Sequence, residues 1–121
     1  MDLDLSTRRH GERAVVTVAG EVDLETASQL GDHALAALQD TPHLVLDLTG
    51  VGFMDSTGLK VLLNVQRRVE LAEGSLALVG PSRAVRKILS LTGLDEAFAV
   101  YDTLAEVSPD LDVTGGAAPT A

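Results

Sequence analysis

Asp55-Ser56-Thr57-Gly58 sets a carboxylate, two hydroxyls and a residue without a side chain between two largely apolar blocks. Val51-Gly52-Phe53-Met54 precedes it and Leu59-Lys60-Val61-Leu62-Leu63 follows. A hydroxyl beside an acid can serve as a nucleophile, a phosphate cradle, a metal ligand, a helix cap or a phosphate acceptor, and each role demands its own spacing. A nucleophile elbow needs glycine two residues before the serine, where Met54 stands. A serine triad needs a histidine, but His10 and His33 read as surface residues and His43 as the entry to a strand. A phosphate-binding loop needs four residues between its glycines and lysine directly after the second; Gly52 and Gly58 enclose five, and Leu59 precedes Lys60. No His, Asp and Glu cluster has metal-ligand spacing.

Two roles remain for Ser56. Serine is a preferred N-cap, although Leu59 occupies the position where a capping box carries Glu or Gln. The alternative is a phosphate acceptor. A hydroxyl at the mouth of a strand–helix loop can enter another enzyme's active site. Phosphate there adds about −1.5 to −2 charge. The positive helix end tolerates it, and backbone N–H groups can bond it. A dianion beside Asp55 then repels a docking partner, giving a switch on binding with no catalytic step in this chain. Asp55 itself fits either a turn-stabilising residue or a partner contact. Gly58 costs roughly 1 kcal/mol in a helix relative to alanine, so its expected value lies in letting another backbone approach.

The flanking pattern supplies the elements that hold this motif. Leu3–His10 and Ala14–Ala19 read as a hairpin about Gly11, the second strand ending at Gly20-Glu21. Asp23 can cap a helix reaching Leu38, with Ala27, Leu30, Ala34, Leu35 and Leu38 at helical spacing. His43–Leu48 reads as a strand, buried on both faces over Leu44–Leu46. A second helix spans Thr57 to Ala72; Leu59, Leu62, Leu63 and Val69 are expected in the core, and Val61 and Val65 against a neighbouring helix. Leu76–Val79 is a strand, and Gly80-Pro81-Ser82 opens a third helix with Val85, Ile88, Leu89 and Leu91. Gly93 is expected as its left-handed cap with Leu94 as apolar partner. Ala97–Val100 is a short last strand. Thr103-Leu104-Ala105-Glu106 has capping-box spacing and predicts a final helix. The order predicts an α/β domain, helices packed against a mostly parallel sheet of four to five strands with an N-terminal hairpin strand. Residues 1–107 are expected to form one domain and 108–121 a flexible C-terminal tail. Arg83, Arg86 and Lys87 read as a solvated face.

Composition narrows the function. The 121 residues are 45% apolar, enough for one packed core. Aromatics make up 2%, which leaves no platform for stacking nucleobases. A net charge of −9 disfavours nucleic acid and anionic membranes as partners. With no cysteine there is no disulfide frame and no thiolate metal site. No basic leader with an apolar run begins the chain, and no apolar run approaches a membrane span, so a cytoplasmic protein without a cofactor is expected.

The stretch Asp47 to Leu59, DLTGVGFMDSTGL, resembles the signature of bacterial anti-sigma factor antagonists in the STAS-domain superfamily. GEVDLETASQL, Gly20 to Leu30, and LVGPSRAVRKILSLTGLDEAF, Leu78 to Phe98, are similar to two further blocks of that family. The likeness runs from Leu3 to Val107. It implies a STAS-like single domain that is no enzyme. Its unphosphorylated form would bind a partner that is both anti-sigma factor and serine kinase, of the histidine-kinase-like ATPase type, and thereby release the sigma factor. Phosphorylation of the serine after the Asp, here Ser56, would block binding, and a serine phosphatase would restore it. Asp23 and Asp55 match family acids near the acceptor; with Thr57 and Gly58 they would shape the docking surface. Thr57 stands where some relatives have a second serine, a minor acceptor, and Thr49 where many have serine. Two other functions fit a STAS-like domain: a nucleotide- or small-molecule-binding regulatory module, and a scaffold unit of a sensory assembly.

Overall fold

The computed structural model describes residues 2–110. The elements in order are β1 (Asp4–His10), β2 (Arg13–Val22), α1 (Ala27–Leu38), β3 (His43–Met54), α2 (Ser56–Leu71), β4 (Ser75–Val79), α3 (Arg83–Leu91) and β5 (Ala99–Tyr101), with 3-10 turns at Leu94–Glu96 and Leu104–Glu106. They build one five-stranded sheet whose spatial order is β1-β2-β3-β4-β5. β1 lies antiparallel to β2, and all later pairs are parallel.

That order places the helices. Each parallel connection steps the same way across the sheet, and right-handed crossovers then put every helix on one face. Buried residues of α1 (Leu30, Ala34), α2 (Leu62, Val65, Val69) and α3 (Val85, Leu89) accordingly share one core with Val16, Val18, Leu44, Leu46, Leu48 and Leu78. The opposite face carries a smaller cluster of Val15, Val45, Ala77 and Val79, covered by Val107 with Tyr101 and Leu104. Leu44, Val45 and Leu46 are each fully buried, as a strand packed on both faces requires.

The chain after residue 107 is tied to the hairpin. Glu12 N–H donates to Pro109 O at 2.9 Å, Arg13 Nε to Ser108 O at 2.6 Å, and His10 Nε2 lies 2.8 Å from Val107 O. Gly11 makes this possible: its φ is +65° and a Cβ there would lie 2.3 Å from Pro109 O. Ser108 and Pro109, expected at the start of the tail, are therefore held. Asp110 N–H donates to Ser108 Oγ at 3.2 Å, and the rest of that expectation, 111–121, lies outside the described residues.

Several boundaries differ from those predicted. β2 and β3 run on to Val22 and Met54, past the polar and glycine residues that read as strand ends. Gly50 keeps them paired, because a Cβ there would lie 2.9 Å from Ala19 Cβ. Register shifts between Thr17 and Ala19 and between Gly20 and Glu21 absorb the irregularity. α1 begins at Ala27, after a turn, and β5 at Ala99. The predicted final helix is only a 3-10 turn: the Thr103 side chain makes no cap bond, and Glu106 Oε1 accepts from Asp102 N–H at 3.3 Å. Leu63 and Leu91 are exposed and Ile88 only partly buried. Gly93 takes φ +76°, with Leu94 packed on the core, as the cap pattern predicts. Val65 is buried, and Val61 packs partly against the core beside Gly31.

Candidate functional site

The motif sits where β3 hands over to α2. Met54, the last strand residue, is buried; Ser56, the first helical residue, is exposed. Asp55 between them is the N-cap, with extended backbone. Its Oδ1 accepts from Thr57 N–H at 2.9 Å and Gly58 N–H at 3.3 Å. The cap expected of Ser56 therefore belongs to Asp55, one residue earlier. This releases Ser56: among the described residues its hydroxyl has no hydrogen-bond partner. It also revises the expectation that backbone N–H groups would receive a phosphate, since two of them already serve Asp55.

Removing that cap has a defined cost. Asp55→Ala should lower stability by about 1 kcal/mol. Asp55→Asn keeps an N-cap and should lose only a fraction of that. Denaturant unfolding of the two variants checks this, and equal losses would show that the cap is not what the carboxylate supplies.

Gly58 lies beneath Ser56. A Cβ there would lie 2.5 Å from Met54 Cγ and 2.9 Å from Val22 Cγ1. The groups approaching it are thus side chains of this chain's own strands, and Gly58 is buried. Its role is to let the first turn of α2 sit down on the ends of β2 and β3. Thr57 is half-buried.

Asp23 enters from the β2–α1 loop. Its Oδ1 accepts from Glu25 N–H at 3.0 Å and Thr26 N–H at 3.1 Å, so it caps the turn leading to α1 rather than the helix itself. Buried Thr26 braces the same turn, donating its hydroxyl to Glu21 O at 2.6 Å and accepting from Asp23 N–H at 3.0 Å. Asp55 N–H donates to Val22 O at 3.1 Å, which ties this loop to the start of α2. All five motif residues thus meet at the carboxyl end of β2 and β3. Neither Asp23 nor Asp55 forms an ion pair among the described residues.

The motif reading omits two neighbours. Leu24 is 79% exposed and Phe53 46% exposed, each one residue from a site acid or a buried strand end. The signal for Leu24 was a lone apolar residue inside Asp23-Leu24-Glu25-Thr26. The three histidines take up other duties: His33 Nε2 lies 2.7 Å from Thr7 Oγ1, His10 bonds Val107 O, and His43 Nδ1 lies 3.0 Å from Ser75 Oγ. Burial, and then the Arg13 charge, hold the His43 pKa below the ordinary imidazole value. Among the described residues no group of three or more His, Asp or Glu is arranged to hold a metal ion, and no helix is long and apolar enough to cross a membrane.

Comparison with known proteins agrees with this geometry. The STAS domain family model matches residues 4–107. An anti-sigma F factor antagonist of Paenibacillus polymyxa is 28% identical over 115 residues, 93% of this chain and 98% of that protein. The anti-sigma-F factor antagonist RsfB of Mycobacterium tuberculosis is 33% identical over 96 residues, 78% of each. The crystal structure of an anti-sigma factor antagonist from Mycobacterium paratuberculosis superposes with a TM-score of 0.78 at 35% identity, over 86% of this chain and 89% of that one. With the strand order and the one-sided helices in place, and the family model matching residues 4–107, this chain belongs to the STAS domain family.

Proposed function

We propose that the chain is an anti-sigma factor antagonist switched at Ser56. Unphosphorylated, it binds an anti-sigma factor that is also a serine kinase of the histidine-kinase-like ATPase type, and the sigma factor is released. Phosphate on Ser56 abolishes that binding, and a serine phosphatase restores it. The observation that carries this reading is the division of labour at the α2 start: Asp55 caps the helix, leaving an exposed hydroxyl with no internal bond. Asp23, Asp55, Thr57 and Gly58 act around it, the two acids as surface contacts and Gly58 as the seat of the loop. The names of the curated relatives support the same class of activity.

The strand order argues against the nucleotide-binding alternative. Open α/β sheets bind nucleotides in the crevice where strand order reverses and helices part to opposite faces. Here the order never reverses, and the helices share one face.

The test is incubation of the purified chain with ATP and the anti-sigma factor kinases of its source bacterium, read by intact mass and peptide mapping. One phosphoryl group on the peptide carrying Ser56 is the expected result. No phosphate from any of them, together with no complex formed, overturns the proposal.

A further inference from the structure

The outward side of α2 is basic, although the chain as a whole carries a net charge of −9. At about 3.6 residues per turn, Ser56, Lys60, Leu63, Arg67 and Leu71 fall on one stripe, with Arg68 beside it. All six are exposed. Leu63 is 39% and Leu71 74% exposed. Elsewhere Arg9 meets Asp40 at 2.7 Å, Arg86 meets Asp102 at 2.6 Å, Arg8 lies 4.0 Å from Asp47, and Arg13 bonds Ser75 and Ser108, whereas exposed Arg83 and Lys87 on α3 have no ion-pair partner among the described residues. Lys60, Arg67 and Arg68 have no such partner among the described residues. Glu70 is the one acid within this stripe, so three cations less one anion leave it at +2 in a chain of net charge −9.

We infer that this stripe is a docking strip, with Ser56 at its head, for an acidic protein surface on the kinase partner. The inference rests on the function proposed above and adds the partner's chemistry. An acidic partner is repelled by a molecule of charge −9 on most approaches; the α2 stripe offers it cations and two exposed leucines beside the acceptor hydroxyl. The same arrangement explains how one phosphate acts on a whole interface. Phosphoserine at position 56 stands one helical turn from Lys60, where opposite charges pair. Its charge of about −1.5 to −2 cancels the stripe's excess.

The test compares two variants of identical net charge. Each Lys or Arg to Glu change shifts the charge by two, so K60E/R67E on α2 and R83E/K87E on α3 both move from −9 to −13. All four positions are exposed, so both variants should fold. Binding is measured by calorimetry and stopped flow against the kinase that phosphorylates the wild-type chain, at low and high salt. K60E/R67E should bind about tenfold or more weakly, with a slower on-rate and a flatter salt dependence, and R83E/K87E should stay within about twofold of wild type. Equal losses in both variants, or none in K60E/R67E, overturn the docking strip while leaving the switch standing. No kinase complex even with the wild-type chain, or retention only by anionic vesicles or RNA, overturns the function and the strip together.

Discussion

Phosphorylation at Ser56 should weaken binding to the kinase by at least about a hundredfold, and Ser56→Ala should bind nearly as tightly as wild type yet accept no phosphate. The size follows from electrostatics. Like charges brought together in a desolvated interface cost several kcal/mol, and about 2.7 kcal/mol is already a hundredfold. Ser56→Glu carries one charge where phosphate carries nearly two, so about tenfold is expected of it. Stability should move far less. Ser56 is exposed, and an anion in the first turn of a helix is worth about 0.3–1 kcal/mol in its favour, offset here by Asp55 next to it. Calorimetric titration of the three forms against the kinase, beside their thermal unfolding, separates the two effects. Phosphate appearing on Ser56→Ala would move the acceptor elsewhere, with Thr57 the first position to examine. A phosphorylated chain that unfolds early would mean the switch works by disorder and not by surface charge.

The second large effect is expected beneath Ser56. Gly58→Val should destabilise the domain by about 3 kcal/mol, the upper part of the range for overpacking a tight core. The added atoms must pass within 2.5 Å of Met54 Cγ and 2.9 Å of Val22 Cγ1, and the latter belongs to a stiff β-branched side chain at the end of β2. For a domain of this size the midpoint of thermal unfolding should fall by roughly 10–20 °C. Gly58→Ala gains about 1 kcal/mol of helix propensity and meets the same neighbours, so it should fall between wild type and valine. An unchanged midpoint for the valine variant would mean that α2 does not rest on the strand ends, and the reading of Gly58 as a seat would fail.

Much of this arrangement was legible in the sequence, for identifiable reasons. Val15-Val16, Leu44-Val45-Leu46 and Leu76–Val79 lie in short apolar runs bounded by turn residues, the pattern of buried strands, and the helices between them favour a parallel sheet. What the sequence hid was decided by contacts between distant residues. Thr49 and Gly50 look like a loop, yet Gly50 fits against Ala19 and lets β3 continue to Met54. Ser56 and Asp55 are both good caps by type. The choice between them depends on where the helix begins, and that is fixed when Asp55 N–H bonds Val22 O across the sheet. Gly58 was recognisable as costly but not as to what approached it. Leu63 follows the helical period into the core on paper, but α2 turns it outward.

The strap formed by residues 104–109 has a practical bearing on anyone who attaches a tag or reporter to this domain. Val107 and Leu104 lie over Val15, Val45, Ala77 and Val79, and Pro109 is gripped at the hairpin turn. A junction cut at Asp102 would strip that cover and leave a greasy, helix-free surface inviting self-association. A junction placed beyond Asp110 keeps whole the strap, which covers the sheet face opposite the helices.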